Sequence, residues 1–508
     1  MSNRLSISSS HDSEIIKEHN KHVIKPPTFT SRAILKYFCS RFTSLFVPKS
    51  ELAQYTWSDI LNPFEALSSL SLRNWCYFLL AFIIWTFDAL DYFAVSLNMV
   101  ALSEYFDRSV SDLSWSISLV LFLRSVGAFI FGYMGEMYGR RWPLMINLFI
   151  LCVLQIGTGF VKDYQSFLGV RALFGCFMGG IFGNAAAYAL EDCPIKARGV
   201  VSGIFQQGYA FGYLLAVIFT RAIVDNSPYG WRSIFWFSSG PPFLMILGLY
   251  LLRETEVTQK NLIKRKESNT ANTKLGEKFT MSNAAKDAFK RYWLIFVYLV
   301  LMMAGFNFSS HGSQDLYPTM LTAQKGFGKD RSTVTNCVAN LGAMAGGLTL
   351  GHLSSFVGRR LTVMISSVLG GVCIYGWAFS SGAGINAGAF FLQFFVQGSW
   401  AIVPIHLAEL SPPLYRSLIL GLSYQLGNLA SGASSTIEST IGERFPITVN
   451  GESAYDYATV MSIFMGCVFG YLILIMFVGP ENRGTSLDGD RDEKIEDEFA
   501  ATGYYVFM

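Results

Sequence analysis

The chain has 508 residues, 51% of them hydrophobic and 15% charged, with a net charge of +3 at neutral pH; ordinary soluble domains carry about 25% charged residues. Forty-one of the 75 charges fall within residues 1–75, 253–291 and 481–508, so the rest of the chain is too sparsely charged to coat a water-facing surface. That excludes a soluble enzyme, a coiled coil and a mainly disordered protein, gives no compositional sign of nucleic-acid binding, and points to an all-α polytopic membrane protein.

The N-terminal stretch is polar, and the first apolar run begins only near Trp75, so no cleavable signal peptide is expected. A bilayer core needs about 20 apolar residues per helix. Runs near 76–100, 115–135, 143–161, 166–190, 200–221, 232–252, 293–316, 333–353, 361–381, 386–410, 418–437 and 458–479 predict twelve spans. The signal is most diluted by glycine and polar residues at 386–410 and 418–437. The runs are continuous rather than alternating, which favours helices over a barrel. The expected division is a tail over 1–75, six spans over 76–252, a polar central loop over 253–291, six spans over 292–480 and a tail over 481–508.

Loop charge predicts the orientation. Arg140 and Arg141 follow span two, Lys196 and Arg198 span four, Lys260 to Lys266 span six, Arg359 and Arg360 span eight, and Arg416 span ten. The alternate loops hold Glu104, Asp107, Asp112, Asp163, Asp225, Glu443, Glu452 and Asp456. The positive-inside rule then places the even-numbered loops and both termini in the cytoplasm. The cluster Lys325, Lys329 and Arg331 is the exception. The tails read as flexible, with lysines open to ubiquitin ligase machinery. The eight cysteines are scattered through apolar runs without metal-ligand spacing, so neither metal nor cofactor is expected.

Two signatures recur. Gly132-x-x-x-Glu136-x-x-Gly139-Arg140-Arg141 after span two is matched by Gly351-x-x-x-Ser355-x-x-Gly358-Arg359-Arg360 after span eight. Glu191-x-x-Pro194-x-x-x-Arg198 after span four is matched by Glu409-x-x-Pro412-x-x-x-Arg416 after span ten. The step from Gly132 to Gly351 and the step from Glu191 to Glu409 are almost the same length. Two unrelated motifs shifted almost equally imply a duplicated six-helix unit. The acid and arginines can pair with helix ends and latch one conformation. Ser355 replaces the acid in the second copy, which puts a symmetric charge latch there in doubt. Six-plus-six halves with a long central loop, together with the G-x-x-x-D-x-x-G-R-R pattern, resemble the major facilitator superfamily.

Ionisable groups within spans are costly and usually functional. They include Asp88 and Asp91 in span one, Arg124 in span two, His311 and Asp315 in span seven, and His406, Glu409 and Glu438 near span ends. Asn307, His311 and Asp315 stand at i, i+4 and i+8, on one helix face, with Gln314 beside them. Gly312 and Pro318 invite unwinding there, as in transporter binding helices. Arg124 reads as the one arginine deep in a span, with a planar fork suited to a carboxylate. An ion pair with Asp88 or Asp91 that merely orients helices is the plainer alternative.

The segment from Asn307 to Thr319 also fits N-x-x-[S/T]-H-x-[S/T]-Q-D-x-x-x-T at every fixed position. That pattern resembles the fungal Jen-type carboxylate:proton symporters of the lactate/pyruvate and sialate symporter branch. Phe87-Asp88-Ala-Leu-Asp91, Leu123-Arg124-Ser-Val-Gly127 and Tyr424-Gln425-x-x-Asn428 are similar to the same branch. The resemblance implies proton-coupled uptake of short mono- or dicarboxylates at a fungal plasma membrane. Under it, Arg124, Asn307, His311, Gln314, Gln425 and Asn428, with Gln206 and Gln207, would bind substrate. Asp315 with His311, or Asp88 and Asp91 beside Arg124, would carry the proton. A dicarboxylate would need a second cluster, from His311, His406 or the amide side chains. A sialic-acid or sugar carrier of the same fold, a non-transporting nutrient sensor and a membrane enzyme using His311 and Asp315 are the competing readings.

Overall fold

In lipid an apolar run can satisfy its backbone polar groups only by closing on itself, so each run becomes a helix. The computed structural model describes residues 30–263 and 281–487, apart from 49–51, 54, 109, 225, 413–414, 443, 450–451 and 485–486. Among them ten helical segments are long and apolar enough to cross a membrane. Spans one to six are Leu72–Leu97, Leu119–Tyr138, Arg141–Phe160, Tyr164–Leu190, Ile195–Val224 and Arg232–Leu251. Spans seven, nine, ten and twelve are Tyr292–Gln324, Arg359–Ala378, Gly384–Leu410 and Tyr457–Val478.

The other two expected positions are also helical but less apolar: span eight is Lys329–Val357, and span eleven is Arg416–Ser431, continued by Ser434–Gly442. The dilution expected at 386–410 therefore falls instead on 333–353. Both weak helices are wedged between other helices. Span eight carries Gly342 and Gly346 against the span-ten carbonyls of Phe390 and Phe394, and Gly351 against Gly203 of span five. Span eleven is met by Gly132 of span two, Gly183 of span four and Met303 of span seven. A helix covered by protein on several sides needs little lipid-compatible surface, so hydropathy under-reports it.

Small residues set the seams in the N-terminal half as well. A Cβ on Gly175 would come 2.6 Å from the Val120 backbone, and one on Gly179 would overlap the Arg124 carbonyl. Span seven stays helical through Gly312 and breaks at Asp315–Leu316, with Pro318 in the short helix Tyr317–Thr319 that follows. The unwinding expected at Gly312 and Pro318 thus falls between the two. Gly312 instead gives room to Phe464 of span twelve and Glu438 of span eleven.

The stretch expected to be a loose tail is partly folded. Ser31–Thr43 is a helix tied to the end of span twelve: Tyr37 donates to the Val478 carbonyl at 2.7 Å and Arg41 to that of Gly479 at 2.8 Å. Trp57–Leu61 and Pro63–Ser68 are short helices, and His352 Nε2 lies 3.0 Å from the Asp59 carbonyl. An aromatic contact with span twelve, invisible to a charge count, helps hold the helix Ser31–Thr43 (Phe42 and Phe477 rings 4.9 Å apart). Residues 1–29, 264–280 and 488–508 lie outside the described residues, and with them most of the tail lysines.

Close glycine seams should not tolerate side chains. Gly175→Leu is expected to cost about 1–3 kcal/mol or more through overpacking and to lower the unfolding temperature in detergent by several degrees. Gly371→Leu in span nine, where a Cβ would meet nothing within 4 Å, should be neutral or slightly stabilising. Thermal unfolding of the two purified variants checks the contrast.

Candidate functional site

Arg124 projects from span two into the bundle and is 2% exposed. Its position follows from Gly179, whose missing side chain lets span four pack on the Arg124 backbone. Its guanidinium lies 4.9 Å from the Tyr92 ring centroid, donates to the Met178 sulfur at 2.7 Å, and reaches Asp88 only at 4.0 Å. Neither Asp88 oxygen nor Arg124 Nε has a hydrogen-bond partner among the described residues. The pair is a loose one: opposite charges, no hydrogen bond between them, and donors left over.

The C-terminal half supplies the facing wall. His311 Nδ1 stands 3.0 Å from Asp315 Oδ2, and His311 Nε2 is 3.1 Å from Asn428 Oδ1 of span eleven. Asn428 in turn donates to Gln425 Oε1 at 3.5 Å. Arg124 and His311 lie within electrostatic reach of each other, and Tyr92 and Tyr209 within reach of both Arg124 and Asp315. The His311 and Asp315 side chains are 17% and 41% exposed, so water enters the site past Asp315. One turn before Asn428, Tyr424 closes the other side of the site. Its ring centroid is 4.0 Å from that of Phe182 and 5.6 Å from that of Trp400, and Gln206 lies beside its hydroxyl.

Arg124, Asp88, His311, Asp315, Gln425 and Asn428 therefore converge, with Gln206 beneath them. The other expected residues point elsewhere. Asn307 donates to the Met303 carbonyl of its own helix at 2.9 Å, Gln314 to Gln393 of span ten at 3.0 Å, and Gln207 to the Gln397 carbonyl at 3.3 Å, across the seam between the halves. His406 lies within reach of Arg359 and Arg360, at the signature-loop end, not beside His311. Asp91 is not beside Arg124. Residues three apart on a helix point about 60° apart, so Asp91 faces Arg171, Gln155 and Ser238 inside the N-terminal half. Arg171, 1% exposed, is a second arginine buried in a span, which corrects the expectation that Arg124 stands alone.

At the signature-loop end Arg140 reaches Glu136 at 2.9 Å and Glu191 at 3.0 Å. Glu191 also accepts from Thr255 and Thr258, at 3.0 and 2.6 Å, and approaches Arg416 of the other half at 3.7 Å. Burial alone would push the Glu191 carboxyl up; Arg140, Arg416 and the Thr258 hydroxyl overcome it and hold it below the usual range. Arg359 grips Glu409 with two bonds of 3.1 Å and also donates to Ser355 at 3.2 Å. The second copy thus keeps an arginine–glutamate lock without the loop acid. A small side chain suits that place, because Ser355 Oγ already occupies the space that a Cβ on Gly199 of span five would need. Arg198 turns to the Cys193 carbonyl at 2.9 Å. Gly139 and Gly358 both adopt positive φ, 90° and 106°, which favours glycine at the loop turn.

Residues 61–490 match the family model described as "Sugar (and other) transporter". The chain belongs to this transporter family. It is 40% identical over 467 residues to the "Carboxylic acid transporter protein homolog" of Saccharomyces cerevisiae, covering 90% of this chain and 75% of that one. It is 23% identical over 400 residues to the "Sialic acid transporter NanX" of Escherichia coli, covering 78% and 91%. Among solved structures, the proton:xylose symporter XylE of the major facilitator superfamily superposes with a TM-score of 0.67 at 17% identity, over 83% of this chain and 98% of that one. The fold is the major facilitator fold, and the protein is a transporter, not an enzyme.

Two acids of this transporter escaped the sequence reading. Glu254, after span six, accepts the Arg141 N–H at 3.0 Å; Glu481, after span twelve, accepts those of Arg359 and Arg360, each at 3.0 Å. Each directly follows the last span of its half, and that shared place was the available signal, since the repeat offset does not align the two.

Two outcomes follow. Asp91→Asn removes the carboxylate charge that favours the buried Arg171 guanidinium through space; folded yield should fall while the pH profile of transport in the remaining protein stays put. Glu191→Gln should loosen the signature-loop end and raise alkylation of the buried native Cys193 several-fold relative to exposed Cys39, read by mass spectrometry. A glutamate depressed in the folded state contributes fully above its unfolded value of about 4.3 and loses that contribution as pH falls below it. Cys193 protection in the wild type should therefore be flat between about pH 5 and pH 7.

Proposed function

We propose that the protein carries short carboxylates together with protons by alternating access, at the plasma membrane and with both termini in the cytoplasm. The observation that carries this reading is the state of Arg124. It is a fully buried guanidinium between the two halves, with its carboxylate partner at 4.0 Å and its Nε unsatisfied. A buried cation in need of oxygen acceptors is a binding site for an anion, and an arginine offers a carboxylate two parallel bonds. Substrate then competes with Asp88 for Arg124.

His311 and Asn428 stand opposite, with hydrogen bonds to offer a hydroxyl, a keto group or a second carboxylate oxygen. The hydrogen-bonded His311–Asp315 pair is a place where one proton can be shared. Its access to water through Asp315 fits a site loaded from the end remote from the signature loops. The name of the Saccharomyces cerevisiae relative favours a carboxylic acid over the sialic acid named for the Escherichia coli relative. Both monocarboxylates (lactate, pyruvate, acetate) and dicarboxylates (succinate, malate) suit the site. A sugar or sialic-acid carrier and a non-transporting sensor are the outcomes to be set against this.

The test is uptake of labelled lactate and labelled succinate into proteoliposomes, with and without an inward proton gradient. Acid-stimulated uptake of at least one acid is expected. Arg124→Ala should cost about 3 kcal/mol of anion binding, roughly a hundredfold in uptake efficiency. Arg124→Lys should recover little, because an ammonium lacks the planar fork. Absence of flux for both acids in correctly folded protein would favour a sensor or a carrier of another organic anion.

A further inference from the structure

Glu438 takes part in none of the ion pairs described above. It lies on Ser434–Gly442, the continuation of span eleven, and has no solvent exposure. Neither carboxyl oxygen has a hydrogen-bond partner among the described residues. Its neighbour is span seven: a Cβ placed on Gly312 would lie 3.2 Å from Glu438 Oε1. Gly312 directly follows His311, and Asp315 is within electrostatic reach of Glu438.

The groups facing it can be named element by element. Span seven presents Asp315, with His311 next to Gly312. Span twelve presents Phe464 at Gly312 and Tyr457 at Gly442. No lysine or arginine among the described residues makes an ion pair with it. An ionised carboxylate taken out of water without a cation or donors costs several kcal/mol even after relaxation, and a nearby second carboxylate adds to that cost. The group is stable in this setting only as the neutral acid, which means it holds a proton. Carboxyls in the membrane interior that serve no ion pair mark proton pathways.

We propose that Glu438 is the binding site of the transported proton, an inference that rests on the proton-coupled reading above. In one conformation its carboxylate takes a proton from water that enters past Asp315, forming the O–H bond. The space around Gly312 then closes over the neutral acid. When the halves rock and the cleft beside the His311–Asp315 pair opens to the other end, the O–H bond breaks and the proton passes by way of that pair to water there. The missing side chain of Gly312 is what lets the acid approach the His311–Asp315 pair, so substrate and proton sit on neighbouring faces of one turn of span seven.

The experiment uses the full chain in proteoliposomes, with a trapped pH dye and whichever of lactate and succinate the wild type exchanges. Two quantities are read: exchange of labelled for unlabelled acid at equal pH, which needs no net proton movement, and acid-driven accumulation with its proton influx. Glu438→Gln copies the shape and neutrality of the protonated acid. It is expected to keep exchange near the wild-type rate and to lose both accumulation and proton influx. A Glu438→Gln protein that still accumulates substrate with its proton overturns the assignment. So does one that fails to fold, since that would mean the charged form is needed in the native state. A wild type that exchanges acid but moves no proton overturns the coupling reading itself, and is told apart by the dye signal before any variant is made.

Discussion

A guanidinium in a water-poor interior must find oxygen acceptors, and the arrangement of this protein can be read from how its buried arginines do so. At the signature-loop end Arg140 and Arg359 each grip a glutamate of the same half, and Arg360 is held by the Met476 carbonyl at 2.6 Å. Arg171 is housed inside the N-terminal half near Asp91. Arg171 and Arg124 each keep an unpartnered Nε, but Arg124 is the one of the two aimed at the gap between the halves. A residue that is costly to bury and is left under-partnered at the pseudo-symmetry seam is where an exchangeable anion fits.

The same logic separates parts that stay together from parts that come apart. Within each half the loop arginines, the glutamate after the fourth helix and the acid after the sixth form one set: Arg140 with Glu191 and the Arg141 N–H with Glu254 in one, Arg359 with Glu409 and Glu481 in the other. Multiple short bonds to charged groups hold each set together. Between the halves the links are thinner. Glu136 accepts the Ser417 N–H at 2.7 Å, Ser417 donates to Asn184 at 2.7 Å, and Ser202 bridges the Ala401 carbonyl and the Ile405 N–H. The Glu191–Arg416 approach is 3.7 Å. Rigid six-helix units joined by a few polar contacts are what rocking around a central site requires.

Much of this plan was legible in the sequence, for identifiable reasons. Lipid-facing spans announce themselves by composition, and a duplicated loop motif announces the repeat by its offset. The i, i+4 spacing of His311 and Asp315 fixed their contact, because helix geometry is local. Pairings that depend on which way a helix is rotated were not legible. Asp88 and Asp91 look equivalent on paper, yet one faces Arg124 and the other Arg171. Gln314 sits in the motif but turns to Gln393 of span ten. Spans eight and eleven read as weak for the reason that makes them central: protein, not lipid, surrounds them. The helix Ser31–Thr43 was hidden because its contacts lie with span twelve, at the opposite end of the chain.

The two seams that close the signature-loop end are chemically unlike, and Ser355 is the reason. Across spans two and eleven, Glu136 places a carboxylate on the first free N–H groups of span eleven, an interaction favoured by the positive end of the helix dipole. The equivalent place across spans five and eight holds Ser355 against Gly199, with Gly203 packed on the Gly347 carbonyl and Gly351. Separating the first seam exposes a charge and several donors that water must re-solvate; separating the second parts backbone surfaces that were only in van der Waals contact. The substitution of serine for the acid therefore does more than weaken a latch. It puts the electrostatic hold on one side of the pseudo-symmetry axis and close-packed glycine on the other, so the two sides of the cleft resist opening by different means. The sequence repeat, read as symmetry, conceals that difference; a Cβ built on Gly199 reveals it.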